Sequence, residues 1–220
     1  MEKKNTENEK KETKINELVF VLDRSGSMSG LESDTIGGFN SMLKKQKKIE
    51  GESYITTVLF DDRYELLHDH ISLDKVRKLT EDDYYTRGCT ALYDALGKTI
   101  KKMDNIIRQQ GASRVMFVII TDGLENASIE YNNRQIRELI DRRTNEAGWE
   151  FVFLGANIDA ETEAQKIGIR RERAARFHND AVGIANNFDA MSQAALSFMT
   201  TDSFDEEALE KVREDYRNRK

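Results

Sequence analysis

Proline is absent from the 220-residue sequence, so the usual marker of helix ends and turns is missing, and element boundaries rest on the apolar pattern alone. Cysteine occurs once, as Cys89, which excludes an intramolecular disulfide and a cysteine-rich metal site. An excess of positive charge is also lacking. With 34 Lys and Arg against 40 Asp and Glu, the formal net charge is −6; this argues against nucleic-acid binding through phosphate neutralisation. The basic clusters Lys44-Lys45-Gln46-Lys47-Lys48 and Arg170-Arg171-Glu172-Arg173 read as solvated faces rather than phosphate-binding patches. No apolar run reaches the length of a signal segment or a membrane span, and Met1 leads directly into Glu2-Lys3-Lys4-Asn5. The expectation is a soluble, cytoplasmic chain with no membrane partner, in which the glycosylation pattern Asn126-Ala127-Ser128 is idle.

What the sequence does contain is a set of clustered apolar runs. Leu18-Val19-Phe20-Val21-Leu22 ends at Asp23, Val115 to Ile120 ends at Thr121-Asp122-Gly123, and Phe151-Val152-Phe153-Leu154 ends at Gly155. Short uninterrupted runs closed by turn residues suit central strands of a parallel sheet, buried on both faces. Tyr54 to Phe60 and Tyr64 to His68, separated by Asp61-Asp62-Arg63, read as a hairpin forming an antiparallel edge. Arg176-Phe177-His178 reads as a short final strand. Between these runs, Ile36, Phe39, Met42 and Leu43, then Leu92, Leu96, Ile100 and Met103, then Ile136, Leu139 and Ile140, repeat at helical spacing. Strands alternating with helices predict a doubly wound α/β domain, mostly parallel with one antiparallel edge strand and with helices on both faces. Its span is 16–202. Residues 1–15, nearly all Lys, Glu, Asn and Thr, read as a disordered tail. Residues 203–220 read as a charged helix docked by Leu209, Val212 and Tyr216.

Ligands of such open sheets sit outside the carboxyl ends of the strands, at the switch point in strand order. The residues that follow the apolar runs therefore mark the candidate site. Asp23-Arg24-Ser25-Gly26-Ser27 follows the first run, Asp122-Gly123 follows the fourth strand, and Gly88-Cys89-Thr90 precedes a helix starting near Ala91. Three loops thus bring two carboxylates and three hydroxyls to one edge. Ser25, Ser27 and Thr90 offer neutral oxygens to a hard cation, while Asp23 and Asp122 can hold it directly or orient its waters. Alternation along Asp23, Ser25 and Ser27 points the three side chains to one place, with Gly26 permitting the turn. Each piece alone has an ordinary reading as a helix cap or a turn. The ordered set of all three does not.

Phe20-Val21-Leu22-Asp23-Arg24-Ser25-Gly26-Ser27-Met28, Gly88-Cys89-Thr90-Ala91-Leu92-Tyr93-Asp94-Ala95-Leu96 and Val118-Ile119-Ile120-Thr121-Asp122-Gly123 together resemble a von Willebrand factor A domain of the intracellular bacterial or phage type. The pattern is that family's metal-ion-dependent adhesion site: Asp-x-Ser-x-Ser, a distant Thr and a later Asp. The resemblance implies a Rossmann-like fold and one bound Mg²⁺ or Mn²⁺. It implies Ser25, Ser27 and Thr90 as direct or switchable ligands, and Asp23 and Asp122 as ligands mostly through water. It departs from the family at Cys89, where glycine is common, a difference of loop packing rather than of a ligand. It further implies a partner protein that completes the metal shell with an Asp or Glu carboxylate, and work beside ATPases or in larger assemblies. Two carboxylates and neutral hydroxyls around a divalent ion leave it wanting a further anionic oxygen, so the implication is chemically sound.

Two other functions compete. A Mg²⁺-dependent hydrolase or phosphotransferase also places an Asp at a strand end, yet a second carboxylate two residues on is missing after Asp23. Neither a phosphate loop nor a Gly-x-Ser-x-Gly elbow occurs. A metal-independent scaffold is the other, and the complete ligand set argues against it. His68-Asp69-His70 reads as exposed strand-end histidines rather than a second metal site. Asp83 to Arg87, Asn157 and Asp159 read as candidates to border the site, and Trp149 reads as core.

Overall fold

The computed structural model describes residues 14–48, 51–111, 113–201 and 203–219. In chain order the elements are β1 (Ile15–Asp23), α1 (Glu32–Gln46), β2 (Ser53–Phe60), β3 (Tyr64–Ser72), α2 (Leu92–Gln110), β4 (Ser113–Thr121), α3 (Asn133–Ala147), β5 (Glu150–Ala156), α4 (Ala160–Lys166), β6 (Ala174–Phe177), α5 (Ala181–Thr201) and α6 (Glu206–Asn218). The expected tail lies outside the described residues as far as position 13, and Ile15 already belongs to β1.

Six strands form one sheet in the order β3-β2-β1-β4-β5-β6. All neighbouring pairs are parallel except β2 with β3. The expected hairpin supplies the expected antiparallel edge strand. Its first strand, β2, runs parallel to β1 from Asn16↔Ser53 to Asp23↔Phe60, because the α1 crossover returns the chain in the same direction. Only β3 is the antiparallel edge.

Each central strand is buried on both faces, which explains its unbroken apolar character. In β1, Leu18, Phe20 and Leu22 face a cluster built with α1, α5 and α6, whereas Val19 and Val21 face α2, α3 and α4. Phe20 meets Phe39 edge-on at 5.5 Å, and across the sheet Phe117 stacks on Trp149 at 5.6 Å, so Trp149 is core. Without proline, three of the helices start at side-chain caps. Asn132 and Gln135 form a reciprocal capping box at the start of α3, which closes on Gly148 at φ 65°, a left-handed position that favours glycine. Asp159 and Asp205 cap α4 and α6. Leu209 and Val212 bury the apolar stripe of α6, and Tyr216 stacks on His178 at 4.7 Å.

The histidines of β3 do not behave as exposed strand-end residues. His68 is fully buried, bonds Thr57 Oγ1 at 3.0 Å and stacks on Phe39; burial pushes its imidazole pKa down to about 4. His70 stacks on Tyr54 and sits 3.0 Å from Glu17 Oε1, on the opposite face of the sheet. The pairing of β2 with β3 shifts register around Thr57, and His70 adopts φ 47°. A bulge resets the alternation that would have put both rings on one side.

No helix among the described residues is long and apolar enough to cross a membrane. Several members of the basic clusters are engaged within the fold. Lys45 pairs with Asp189, Lys47 donates to the Val76 carbonyl, and Arg173 pairs with Glu150 and Glu206. Strand order reverses its sense between β1 and β4, and the crevice of a doubly wound sheet opens at that point. Asp23 ends β1 and Asp122 follows β4.

Candidate metal centre

The chain leaves β1 at Asp23 and tightens into a 3-10 turn over Gly26–Met28, anchored by the buried Met28 side chain. That turn holds the two serines side by side. Ser25 Oγ lies 3.1 Å from Ser27 Oγ, and Ser27 Oγ donates to Asp122 Oδ1 at 2.5 Å. Asp23 turns beneath them: its Oδ1 accepts the Ser25 amide at 2.7 Å and its Oδ2 accepts Thr121 Oγ1 at 2.5 Å. Thr90 approaches from the loop before α2. A Cβ added to Gly123 would lie 3.1 Å from Thr90 Oγ1 and 3.5 Å from Ser27 Oγ, so Gly123 leaves a hollow between hydroxyls that a side chain would fill. Asp23, Ser25, Ser27, Thr90 and Asp122 thus converge from three loops onto the switch point.

The donor set suits a small hard cation, being oxygen only, with three neutral hydroxyls and two carboxylates. Among the described residues no group of three or more His, Cys, Asp or Glu could hold a metal. An ion held here therefore depends on the hydroxyls.

Several supports lie outside the motif. The Gly26 amide donates to the Gly88 carbonyl at 3.1 Å, tying the serine turn to the threonine loop. Gly88 has φ 65°, and a Cβ there would stand 2.3 Å from Asp62 Oδ1, so the loop closes this tightly only with glycine. Thr90 and Asn126 exchange two bonds, Thr90 N–H to Asn126 Oδ1 at 2.9 Å and Asn126 N–H to the Thr90 carbonyl at 3.0 Å. Asn179, just after β6, donates to Asp122 Oδ2 at 3.1 Å. Tyr84 is buried and its hydroxyl donates to the Asp23 carbonyl at 2.5 Å. Arg24, alternating away from the hydroxyls, is fully buried and pairs with Asp61 at 2.9 Å and Glu65 at 2.7 Å. Arg87 pairs with the same Asp61 at 2.8 Å and bonds the Tyr85 hydroxyl at 2.9 Å.

Asp61, which the sequence presents as a turn residue, is therefore a buried charge that fastens two site loops. Nothing local marks it, and the same holds for Asn126 and Asn179. Within the segment expected to border the site, Tyr84 supports Asp23 and Arg87 fastens to Asp61, while Asp83 is taken up by Arg77 and Thr80. Asp159 is engaged in capping α4 and pairing with Arg176. Cys89 is exposed.

Burial pushes the Asp23 carboxyl up to about 6, against the hydrogen bonds from Thr121 and Ser25, and burial likewise raises Asp122. The folded metal-free protein therefore retains the Asp23 proton between the ordinary value of 3.8 and about 6, where the unfolded chain has lost it. Metal-free stability should accordingly fall by about 3 kcal/mol as pH rises through that window. A cation prefers the ionised form, so Mg²⁺ should offset this loss and bind more weakly below about pH 6. Melting temperatures from pH 4 to 8, in EDTA and in excess Mg²⁺, would display two curves that part as pH rises. Parallel curves would contradict this account.

No protein-family model matches the sequence, and no curated protein matches it. Solved structures do. The proximal thread matrix protein of the mussel byssus, in a form with a zinc-occupied MIDAS motif, superposes with TM-score 0.58 at 15% identity, over 84% of this chain and 46% of that one. A von Willebrand factor type A structure from Catenulispora acidiphila gives TM-score 0.56 at 13% identity, over 84% and 43%. The PilB minor pilin of Streptococcus sanguinis gives TM-score 0.62 at 12% identity, over 89% and 64%. This chain thus spans less than two thirds of each. At such identities the likeness bears on architecture, and on that ground the chain has a von Willebrand factor A-like, Rossmann-like fold.

Proposed function

We propose that this chain is a metal-dependent protein-binding module that holds one divalent cation, Mg²⁺ or Mn²⁺, and engages an Asp or Glu of a partner protein through it. One observation carries the reading. Ser27 Oγ bonds both Ser25 Oγ and Asp122, and it faces Thr90 Oγ1 across the hollow at Gly123. Ser25, Ser27 and Thr90 would supply neutral oxygens; Asp23 and Asp122, each hydrogen-bonded to a neighbour, would supply the negative charge and orient water. When bound, the ion would act as a Lewis acid for a carboxylate oxygen. The zinc-occupied MIDAS of the mussel protein supports the same reading, as does the motif set in this chain.

Binding is favoured over catalysis by the state of Asp23. A phosphotransferase nucleophile must present a free carboxylate oxygen to its substrate. Asp23 is buried to 1% exposure, and each of its oxygens already accepts a hydrogen bond, from Ser25 and Thr121, which leaves room to orient a water but no open approach for a substrate phosphorus. The setting we assign is cytoplasmic, with the partner a component of a larger, ATPase-associated assembly.

The test is retention of partner proteins on the immobilised chain in Mg²⁺ and in EDTA, beside an Asp23→Ala variant. A specific partner should be retained by wild type in Mg²⁺ and lost in both other conditions. Retention indifferent to EDTA and to the substitution would replace this reading with a metal-independent scaffold. Asp23-dependent phosphoester turnover would replace it with an enzyme.

A further inference from the structure

Asn179 lies half-buried in the turn between β6 and α5. Its Nδ2 donates to Asp122 Oδ2 at 3.1 Å, while Ser27 Oγ donates to Asp122 Oδ1 at 2.5 Å. An ionised carboxylate only accepts hydrogen bonds, so the amide turns its NH₂ group, and not its oxygen, toward Asp122. That leaves Asn179 Oδ1 buried on the same small amide, and no group of the described residues donates to it. A buried acceptor without a donor is costly, and in a folded protein it is uncommon enough to need a reason.

The turn gives the amide no other place to go. The Asp180 amide donates to the His178 carbonyl at 2.8 Å, and Asp180 Oδ1 accepts the Gly183 amide at 2.8 Å. From α6, Arg219 Nη1 bonds both Asp180 oxygens, at 3.1 and 2.8 Å, and the Tyr216 carbonyl lies 3.1 Å from His178 Nε2. A Cβ at Gly183 would stand 2.0 Å from the His178 carbonyl oxygen, so α5 begins this close to the turn only with glycine there. Residues on both sides of Asn179 are thus fixed by α5 and α6, and its unpaired oxygen is kept beside the Asp122 carboxylate.

A divalent ion at the centre would bring the missing donor. Mg²⁺ usually keeps several of its waters when a protein binds it. A water polarised by the ion is a strong donor, and groups beyond the direct ligands commonly accept from such waters or orient the ligands. We infer that Asn179 is a sixth residue of the metal centre: its Nδ2 positions Asp122, and its Oδ1 accepts a hydrogen bond from a water on the ion. An amide does this without adding a third negative charge to those of Asp23 and Asp122, so the ion retains the charge that draws a partner's carboxylate. The inference rests on the metal-dependent reading above and adds a positioning residue that lies outside the Asp-x-Ser-x-Ser, Thr and Asp pattern.

The test uses the full chain with Mn²⁺ as the probe, the free ion being followed by electron paramagnetic resonance, and melting temperatures taken in EDTA. Wild type is compared with Asn179→Ala, Asn179→Asp and Asp23→Ala. Asn179→Ala should bind Mn²⁺ about tenfold more weakly and still melt near the wild-type temperature in EDTA, because the side chain is half-buried and its oxygen is unpaired without the ion. Asn179→Asp keeps an acceptor oxygen and adds charge, so it should bind Mn²⁺ at least as tightly as wild type. Wild-type affinity in Asn179→Ala would overturn this inference alone. So would an equal loss in both Asn179 variants, since the shape of the turn, and not an acceptor oxygen, would then govern binding. A wild type that binds no Mn²⁺, or binds it no better than Asp23→Ala does, would overturn the metal-dependent reading itself.

Discussion

Replacing Arg24 with methionine should destabilise the protein by about 3 to 5 kcal/mol, lowering the melting temperature by roughly 6 to 20 °C in a domain of this size. The guanidinium has no exposure and neither does its partner Asp61, 2.9 Å away. It also bonds Glu65 and the Asp83 carbonyl, and lies 5.3 Å from the centre of the Tyr85 ring. Burial works to raise the Asp61 carboxyl, but hydrogen bonds from Arg87, the Arg63 amide and Arg24 hold it below the usual range. Removing Arg24 leaves that carboxylate buried with only the half-exposed Arg87 as counter-ion, and an uncompensated buried charge is the costly outcome. The double variant with Asp61→Asn should then lose less than the sum of the single changes, since the second substitution removes the stranded charge. Urea unfolding of the four proteins measures this. A single-variant loss below about 1 kcal/mol would show that water reaches Asp61 and that the pair contributes little.

Mg²⁺ at about 100 times its dissociation constant should stabilise the wild-type fold by roughly 2.7 kcal/mol, a rise of about 5 to 10 °C in melting temperature. The same addition should leave Asp23→Asn unchanged. The variant carries a second signature, because Asp23 is held with its pKa near 6 by burial. Above that pH its ionised form works against folding until a cation is bound. An asparagine keeps the shape, accepts the Ser25 amide, and can donate to Thr121 Oγ1, which turns its own proton to the Gly123 carbonyl at 3.2 Å. In EDTA at pH 7.5, Asp23→Asn should therefore be more stable than wild type, by up to about 3 kcal/mol. Higher metal-free stability together with loss of the metal response would identify Asp23 as a residue kept charged for a ligand. A variant that is less stable in EDTA and still responds to Mg²⁺ would remove Asp23 from the centre.

Much of this architecture is legible from local chemistry. The β1 run from Leu18 to Leu22 is apolar at every position because both faces of a central strand are covered, and a short unbroken run closed by turn residues suits that placement. The Asp23-x-Ser25-x-Ser27 spacing and the strand-end Asp122 put four side chains on one edge from sequence pattern alone. The readings that failed did so where a neighbour decided. His68 and His70 share a side in a regular strand, yet a bulge set by pairing with β2 sends them to opposite faces. Asp61 has the appearance of an ordinary turn acid and does form a turn with Arg63, but its burial comes from Arg24 and Arg87.

The sequence by itself determined which segments are strands, which are helices, and which oxygens are available at the strand ends. These properties follow from side-chain volume, polarity and spacing over a few residues. Only the tertiary structure decided that β1 and β4 lie side by side at the switch point, and that Ser27 meets Asp122 across 95 residues of chain. It likewise decided that Arg24 meets Asp61 across 37, and that Asn179 reaches Asp122 across 57. Such contacts depend on strand order and crossover handedness, which are settled by packing both faces of the sheet at once, and no short window of sequence carries that information.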